Sequence, residues 1–136
     1  MKSVQETLLE RRSIRRFERE QVTDEQMDLI CEAIRNTPTS YNGQQFSVID
    51  VTDPDLKLKL YDLIGQKQIK TCSHFLLFLA DYNKITLSAE AMGLDMPPFA
   101  DTADGLIVAT VDAPLAMANA VPMAVSLGLG CCPIGY

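Results

Sequence analysis

Arg11, Arg12, Arg15, Arg16 and Arg19 crowd one short stretch of an otherwise acidic chain. A guanidinium is planar, permanently charged and presents paired N–H donors that match phosphate oxygens. A dense arginine turn is therefore a candidate anion site. The competing reading is a solvated charged face with Glu18 and Glu20 as local partners, and charge alone favours it. A second concentration of polar groups follows about one helix later. Thr39-Ser40-Tyr41-Asn42-Gly43-Gln44-Gln45 stacks hydroxyls and amides, which can read the edge of a polar heterocycle by donating and accepting hydrogen bonds. Ser, Asn and Gly also make ordinary turns, so the loop gains meaning only from its place after the arginines.

Other chemistries fail on residue types. The four cysteines, Cys31, Cys72, Cys131 and Cys132, show no C-x-x-C, and with a single His a zinc site is nearly excluded. Adjacent Cys131-Cys132 could form a redox pair, but small residues packed in a buried segment is the favoured reading. Gly128-Leu129-Gly130 lacks the last glycine of a dinucleotide loop, because Pro133 stands there. His74 directly precedes an apolar run and reads as a partly buried structural histidine, not a hydrolase base. Asp101 and Asp104 fit a helix start, where the macrodipole favours carboxylates. No acid/base or nucleophile constellation remains.

The elements that must hold the two polar segments follow from composition and pattern. The chain has 136 residues, 47% hydrophobic and 22% charged, with a formal net charge of −6. That is one globular domain's worth of sequence, and its negative charge argues against wholesale nucleic-acid binding. No secretory signal opens it, and cysteines without a framework read as reduced thiols, so a cytoplasmic location is expected. Ser3-Val4-Gln5-Glu6 is a capping box for a helix with Val4 and Leu8 on one face, Leu9 beside them, ending near Arg11 or Arg12. Thr23-Asp24-Glu25-Gln26 opens a second helix, with Met27, Ile30, Cys31 and Ile34 at helical spacing. Phe46 to Val51 reads as a strand. Asp53-Pro54 starts a helix with a stripe of Leu56, Leu60, Leu63 and Ile64, and Gly65 caps its end. Phe75 to Leu79 reads as a buried strand, Met92 to Ala100 as a loop, and Cys131 to Tyr136 as the opening of another strand. From Asp101 a long apolar helix is expected, buried on most sides at a core or a subunit interface, with Pro122 kinking or interrupting it. Asp112 is the only charge between Gly105 and Tyr136. That residue, Pro114, Asn119, Pro122 and the glycines argue against a membrane span. The class is α+β, helices layered on a sheet.

Arg11-Arg12-Ser13-Ile14-Arg15-Arg16-Phe17 matches R-R-S-I-R-x-[FY], and Ser40-Tyr41-Asn42-Gly43-Gln44 matches S-x-N-x-Q. In this order the two motifs resemble the nitroreductase family of FMN-dependent oxidoreductases. Gly65-Gln66-Lys67, Phe78 to Asn83, and Ser126 to Gly130 through Ile134-Gly135 look like its NADPH-using, oxygen-insensitive branch. The resemblance spans nearly the whole chain. It implies a central sheet flanked by helices in a homodimer, with FMN at the subunit interface and NADPH or NADH as electron donor. It implies that Arg11, Arg12, Ser13 and Arg15 hold the phosphate and ring edge. Ser40, Asn42 and Gln44 would contact the ribityl chain or isoalloxazine, and Gln66 the ring. Pro133, Ile134, Gly135 and Tyr136 would lie beside the flavin. The uncharged run 113–130 corresponds to the family's helix at the subunit interface. Departures from the family pattern are a later basic residue and a C-terminal arm, both missing, Gln45 in place of a common Pro, and Pro122. Residues 1–136 are thus expected to be a single nitroreductase-like domain, incomplete at its C-terminus. The implied function is electron transfer from NAD(P)H through FMN, at flavin N5, to nitroaromatic, quinone or flavin acceptors in a ping-pong cycle. The alternatives are a truncated, non-catalytic flavin-fold binding or assembly module, or another anion-binding domain.

Overall fold

The structure, a computed structural model, describes residues 1–96 and 99–135, without the side chain of Ala100. Its helices are α1 (Val4–Glu10), α2 (Asp24–Arg35), α3 (Pro54–Ile64), α4 (Asn83–Ala91) and α5 (Ala103–Ser126). Strands β1 (Phe46–Val51) and β2 (Phe75–Ala80) pair antiparallel, Phe46 opposite Ala80 and Val51 opposite Phe75. Short 3-10 turns occupy Ser40–Asn42, Lys67–Lys70 and Phe99–Asp101.

Local signals set several of these boundaries. At the head of α2 the Thr23 hydroxyl accepts from the Gln26 N–H at 3.3 Å, and the Gln26 side chain accepts from the Thr23 N–H at 3.0 Å. Two otherwise orphaned helix-end donors are thereby satisfied. Asp53 caps α3 by accepting from the Leu56 N–H at 2.8 Å, Pro54 stands in its first turn, and Gly65 closes it in the left-handed region at φ 77°.

The α5 helix is the centre of the fold. Its inner face, chiefly Ala113, Ala116, Ala120 and Ala124, receives Ile30 and Ile34 of α2 and Phe46 of β1. Alanines there let the helix axes approach closely. Burying Ile30 and Ile34 stabilises the fold by about 1.5–3 kcal/mol each. Asn119 ties the same face to the end of α2, donating to the Ala33 carbonyl at 3.3 Å and the Thr37 hydroxyl at 3.0 Å.

The sequence misleads in several places. Pro122 does not interrupt α5, which runs as one helix from Ala103 to Ser126 with Pro114 and Pro122 inside it. Packing of the alanine face on α2 outweighs the hydrogen bond that a proline forfeits. Within the single chain 28% of the most apolar stretch of α5 is buried and Leu106, Ile107, Val111 and Leu115 are exposed, so a core alone does not cover the helix. By length and composition alone it would pass for a membrane span. Residues 131–135 form no strand, and Tyr136 lies outside the described residues. The face of α1 that is buried carries Thr7, while Val4, Leu8 and Leu9 are exposed. In α2 Cys31 is exposed although Ile30 and Ile34 are buried. In α3 the buried residue is Lys57, whose ammonium donates to the Cys72 carbonyl at 2.8 Å; Leu56 and Leu63 stay exposed. The α4 helix was not anticipated, because Tyr82 gives it no side-chain cap and Ala89 is its sole buried residue.

Candidate functional site

The arginine turn begins where α1 stops. The Arg11 N–H donates to the Thr7 carbonyl at 3.2 Å, after which the chain extends. The Ile14 N–H then donates to the Cys131 carbonyl at 2.9 Å. A Cβ placed on Gly130 would lie 3.0 Å from the Ile14 Cγ2, so glycine permits this close crossing. Arg11, Ser13 and Arg15 are thus brought to the segment after α5. Burial, partly offset by the Arg11 charge, pushes the Cys131 thiol above its ordinary pKa. The ion pairs among the described residues are Lys2–Glu10, Arg35–Glu32 and His74–Asp50. None of the five guanidiniums of the turn takes part. Among the described residues Glu18 and Glu20 form no ion pair with them, and all five arginines are exposed.

Gln66 reaches the same neighbourhood through Gln68. The Gln68 amide donates to the Gln66 Oε1 at 3.0 Å and to the Cys132 Sγ at 3.7 Å. Cys131, Cys132, Pro133, Ile134 and Gly135 line one side of an apolar groove of 630 Å³, with Leu60, Leu63 and Ile64 of α3 among its other walls. The α3 stripe expected from the sequence exists, but it faces this groove instead of a closed core. His74 is held by Asp50, Nδ1 to Oδ2 at 2.7 Å, which agrees with a structural role.

The polar loop lies elsewhere. Ser40, Asn42 and Gln44 follow α2 and precede β1. Tyr41, Asn42 and Gln44 adopt φ of 57°, 55° and 51°, the left-handed region that non-glycine residues avoid. Gly43 is required for another reason: a Cβ there would sit 2.0 Å from the Gln45 Nε2. Gln45 is buried, and its carbonyl accepts from the Asp81 N–H at 3.0 Å. Ser40 is tied to Asp112 of α5, whose Oδ1 accepts from the Ser40 N–H at 3.1 Å and its hydroxyl at 3.3 Å. At the other end of α5 the Leu129 N–H donates to the Ala124 carbonyl at 3.0 Å. Asp112 and Ala124 stand about 18 Å apart along the helix. Within one chain, then, the structure ties the arginine turn, at Ile14, and Gln66, through Gln68, to the segment after α5. It sets Ser40, Asn42 and Gln44 apart from them.

Asp112 is the site-adjacent residue that sequence reasoning missed. Its available signal was its solitude, one charge in a long apolar run.

An α+β architecture with a long alanine-faced helix, an unpaired arginine turn before it in sequence and an amide-rich loop at its middle defines the nitroreductase fold. The Nitroreductase family model matches residues 8–136. FMN reductase (NAD(P)H) of Bacillus subtilis (strain 168) is 40% identical over 136 residues, covering 99% of this chain and 55% of its own length. The oxygen-insensitive NADPH nitroreductase of Salmonella typhimurium is 38% identical over 133 residues, covering 96% of this chain and 52% of its own length. The solved structure of B. megaterium NfrA2 superposes with a TM-score of 0.90 at 35% identity, over 96% of this chain and 53% of that one. The chain belongs to the nitroreductase family. It spans about half the length of these relatives.

Proposed function

We propose that this chain is the FMN-binding portion of an NAD(P)H-dependent flavin oxidoreductase, with Arg11, Arg12, Ser13 and Arg15 gripping the cofactor phosphate. The single observation that carries this is the set of guanidiniums without carboxylate partners, in a chain of net charge −6. Family membership and the names of its relatives support FMN with NAD(P)H as donor. The donor set fits the cofactor: fixed cations for a phosphate, amides and hydroxyls for a polyol and a heterocycle edge. When bound, FMN would supply hydride acceptance at N5, the chemistry by which electrons from NAD(P)H would reach a nitroaromatic, quinone or flavin acceptor in a ping-pong cycle.

The residues of the chain bind and orient. Ile14 is anchored on Cys131, so the flanking guanidiniums project from a fixed stretch of backbone. Gln66 and the backbone of residues 133–135 would border the ring, and Ser40, Asn42 and Gln44 would read the ribityl chain or ring edge. Because the arginine turn and the polar loop are tied to points about 18 Å apart along α5, we infer a homodimer. In it the loop of one protomer completes the site of its partner. The exposed apolar face of α5 is the surface such a pairing would cover. The expected location is the cytoplasm.

Purified protein should be yellow or become so with FMN, and should oxidise NADPH when FMN and a quinone are supplied. A folded dimer that binds FMN without turnover would identify the non-catalytic module instead. A colourless protein indifferent to FMN would leave a plain anion-binding domain.

A further inference from the structure

We propose that Asp112 is a positioning residue. From the buried face of α5 its carboxylate holds the 39–45 loop in the conformation in which Ser40, Asn42 and Gln44 meet the cofactor. The proposal rests on the flavin reading above and assigns a role to a residue that the motifs do not contain.

Asp112 is fully buried, at 0% exposure, on a helix face otherwise occupied by Ala109, Ala113, Ala116 and Ala120. Its Oδ1 accepts both bonds from Ser40, while its Oδ2 is buried with no hydrogen-bond partner. A half-satisfied carboxylate in such a place costs stability, and an apolar residue of similar volume would pack there at no such cost. Folding alone therefore gives no reason for an ionisable group at this point. What the carboxylate does is reach across 72 residues of sequence to the first residue of the polar loop.

That loop needs an external hold. Three of its residues, Tyr41, Asn42 and Gln44, sit in the left-handed region, a conformation that persists only where surrounding structure over-determines it. Its internal bonds are the Asn42 N–H to the Thr39 carbonyl at 3.1 Å, the Gly43 N–H to the Ser40 carbonyl at 2.9 Å and the Gln44 N–H to the Thr39 hydroxyl at 3.2 Å. Downstream, buried Gln45 is bonded to Asp81. Just before the loop, the Thr37 hydroxyl accepts from Asn119 of the same helix as Asp112; within residues 39–43, among the described residues, the hydrogen-bonded link to another element is the one to Asp112. The same contact sets the polarity of Ser40. A carboxylate only accepts, so the Ser40 hydroxyl hydrogen points inward and its lone pairs face outward, ready to accept from a ligand O–H or N–H.

The test compares the parent chain with Asp112→Asn and Asp112→Leu. FMN affinity is read by flavin fluorescence quenching, and amide hydrogen exchange of residues 40–45 is read without FMN. Asparagine keeps an acceptor for Ser40 and should bind FMN within about threefold of the parent. Leucine should melt no lower than the parent, yet exchange the Asn42 and Gly43 amides faster and weaken FMN binding by about tenfold or more. A folded leucine variant with unchanged exchange and unchanged FMN affinity overturns the role of Asp112 while leaving the flavin reading intact. A parent that takes up no FMN overturns the flavin reading, and the role toward the cofactor with it. Should the leucine variant fail to fold, Asp112→Ala carries the same comparison with the same two outcomes.

Discussion

The arginine turn and the polar loop achieve order by opposite means. The turn is extended and exposed, its backbone bonded at Arg11 to Thr7 and at Ile14 to Cys131, and its guanidiniums have no carboxylate partners. The loop is wound tightly, strained at three residues, hydrogen-bonded within itself and tied to a buried carboxylate at one end and to Asp81 through Gln45 at the other. The difference matches what each would recognise. A phosphate is a compact charge that several mobile cations can satisfy from different directions. A heterocycle edge or a polyol requires donors and acceptors at set positions, and that demands a rigid backbone. Affinity should thus be most sensitive to charge in the first region and to geometry in the second.

The largest effect is expected in the turn. Arg15→Ala should weaken FMN binding by roughly 10- to 150-fold, the loss of a hydrogen bond to a charged group. Its melting temperature should stay at the parent value, because the guanidinium holds no protein contact. A fall in both would mean that the turn is built like the loop. Gly43→Ala should do the reverse. The new Cβ collides with the Gln45 side chain at 2.0 Å, so stability should fall by about 1–3 kcal/mol in a urea titration, with a looser loop. An unaltered midpoint would show that Gln45 swings aside freely. Tyr41→Gly should raise stability by about 0.5–1 kcal/mol, since relief of a left-handed residue exceeds glycine's entropy, and Tyr41 is 94% exposed with little packing to lose. Destabilisation in that variant would mean that the tyrosine ring braces the loop.

The smallest effect concerns the loop's downstream anchor. The Ser47 hydroxyl, then the Asn83 N–H, hold the Asp81 carboxyl below the usual carboxylate range. A depressed folded-state pKa contributes stability that is present above the unfolded value and lost as pH falls through the folded one. Ser47→Ala should therefore lower stability above about pH 4 and make acid unfolding less steep below it, with the two proteins converging at low pH. Identical stability at neutral pH and an identical acid limb would show that the Ser47 bond to the Asp81 carboxylate contributes nothing.

The legibility of the molecule follows the range of its interactions. Thr23 to Gln26, Asp53-Pro54 and Gly65 act on neighbours a few residues away, so α2 and α3 could be read from pattern alone. The β-branched and aromatic residues of Phe46 to Val51 marked β1 for the same reason. The α4 helix escaped because its start has no capping side chain. Pro122 misled because the packing of Ala116, Ala120 and Ala124 on α2 is a tertiary effect that outweighs a local one. The leucines of α3 promised a core but line a groove. In the candidate site, the motifs marked the arginines and the amides by type. Nothing local says that Ser40 answers to Asp112 far along the chain, or that the two motifs are anchored at different points of α5.

The central claim is that the unpaired guanidiniums exist to hold a phosphoryl group. The measurement that reaches it most directly is a fluorescence titration of the protein with FMN and, in parallel, with riboflavin, which shares every atom but the phosphate. FMN should bind at least about tenfold more tightly, and Arg15→Ala should erase most of that preference. Equal affinity for the two flavins, or a preference that survives the loss of Arg15, would contradict the account.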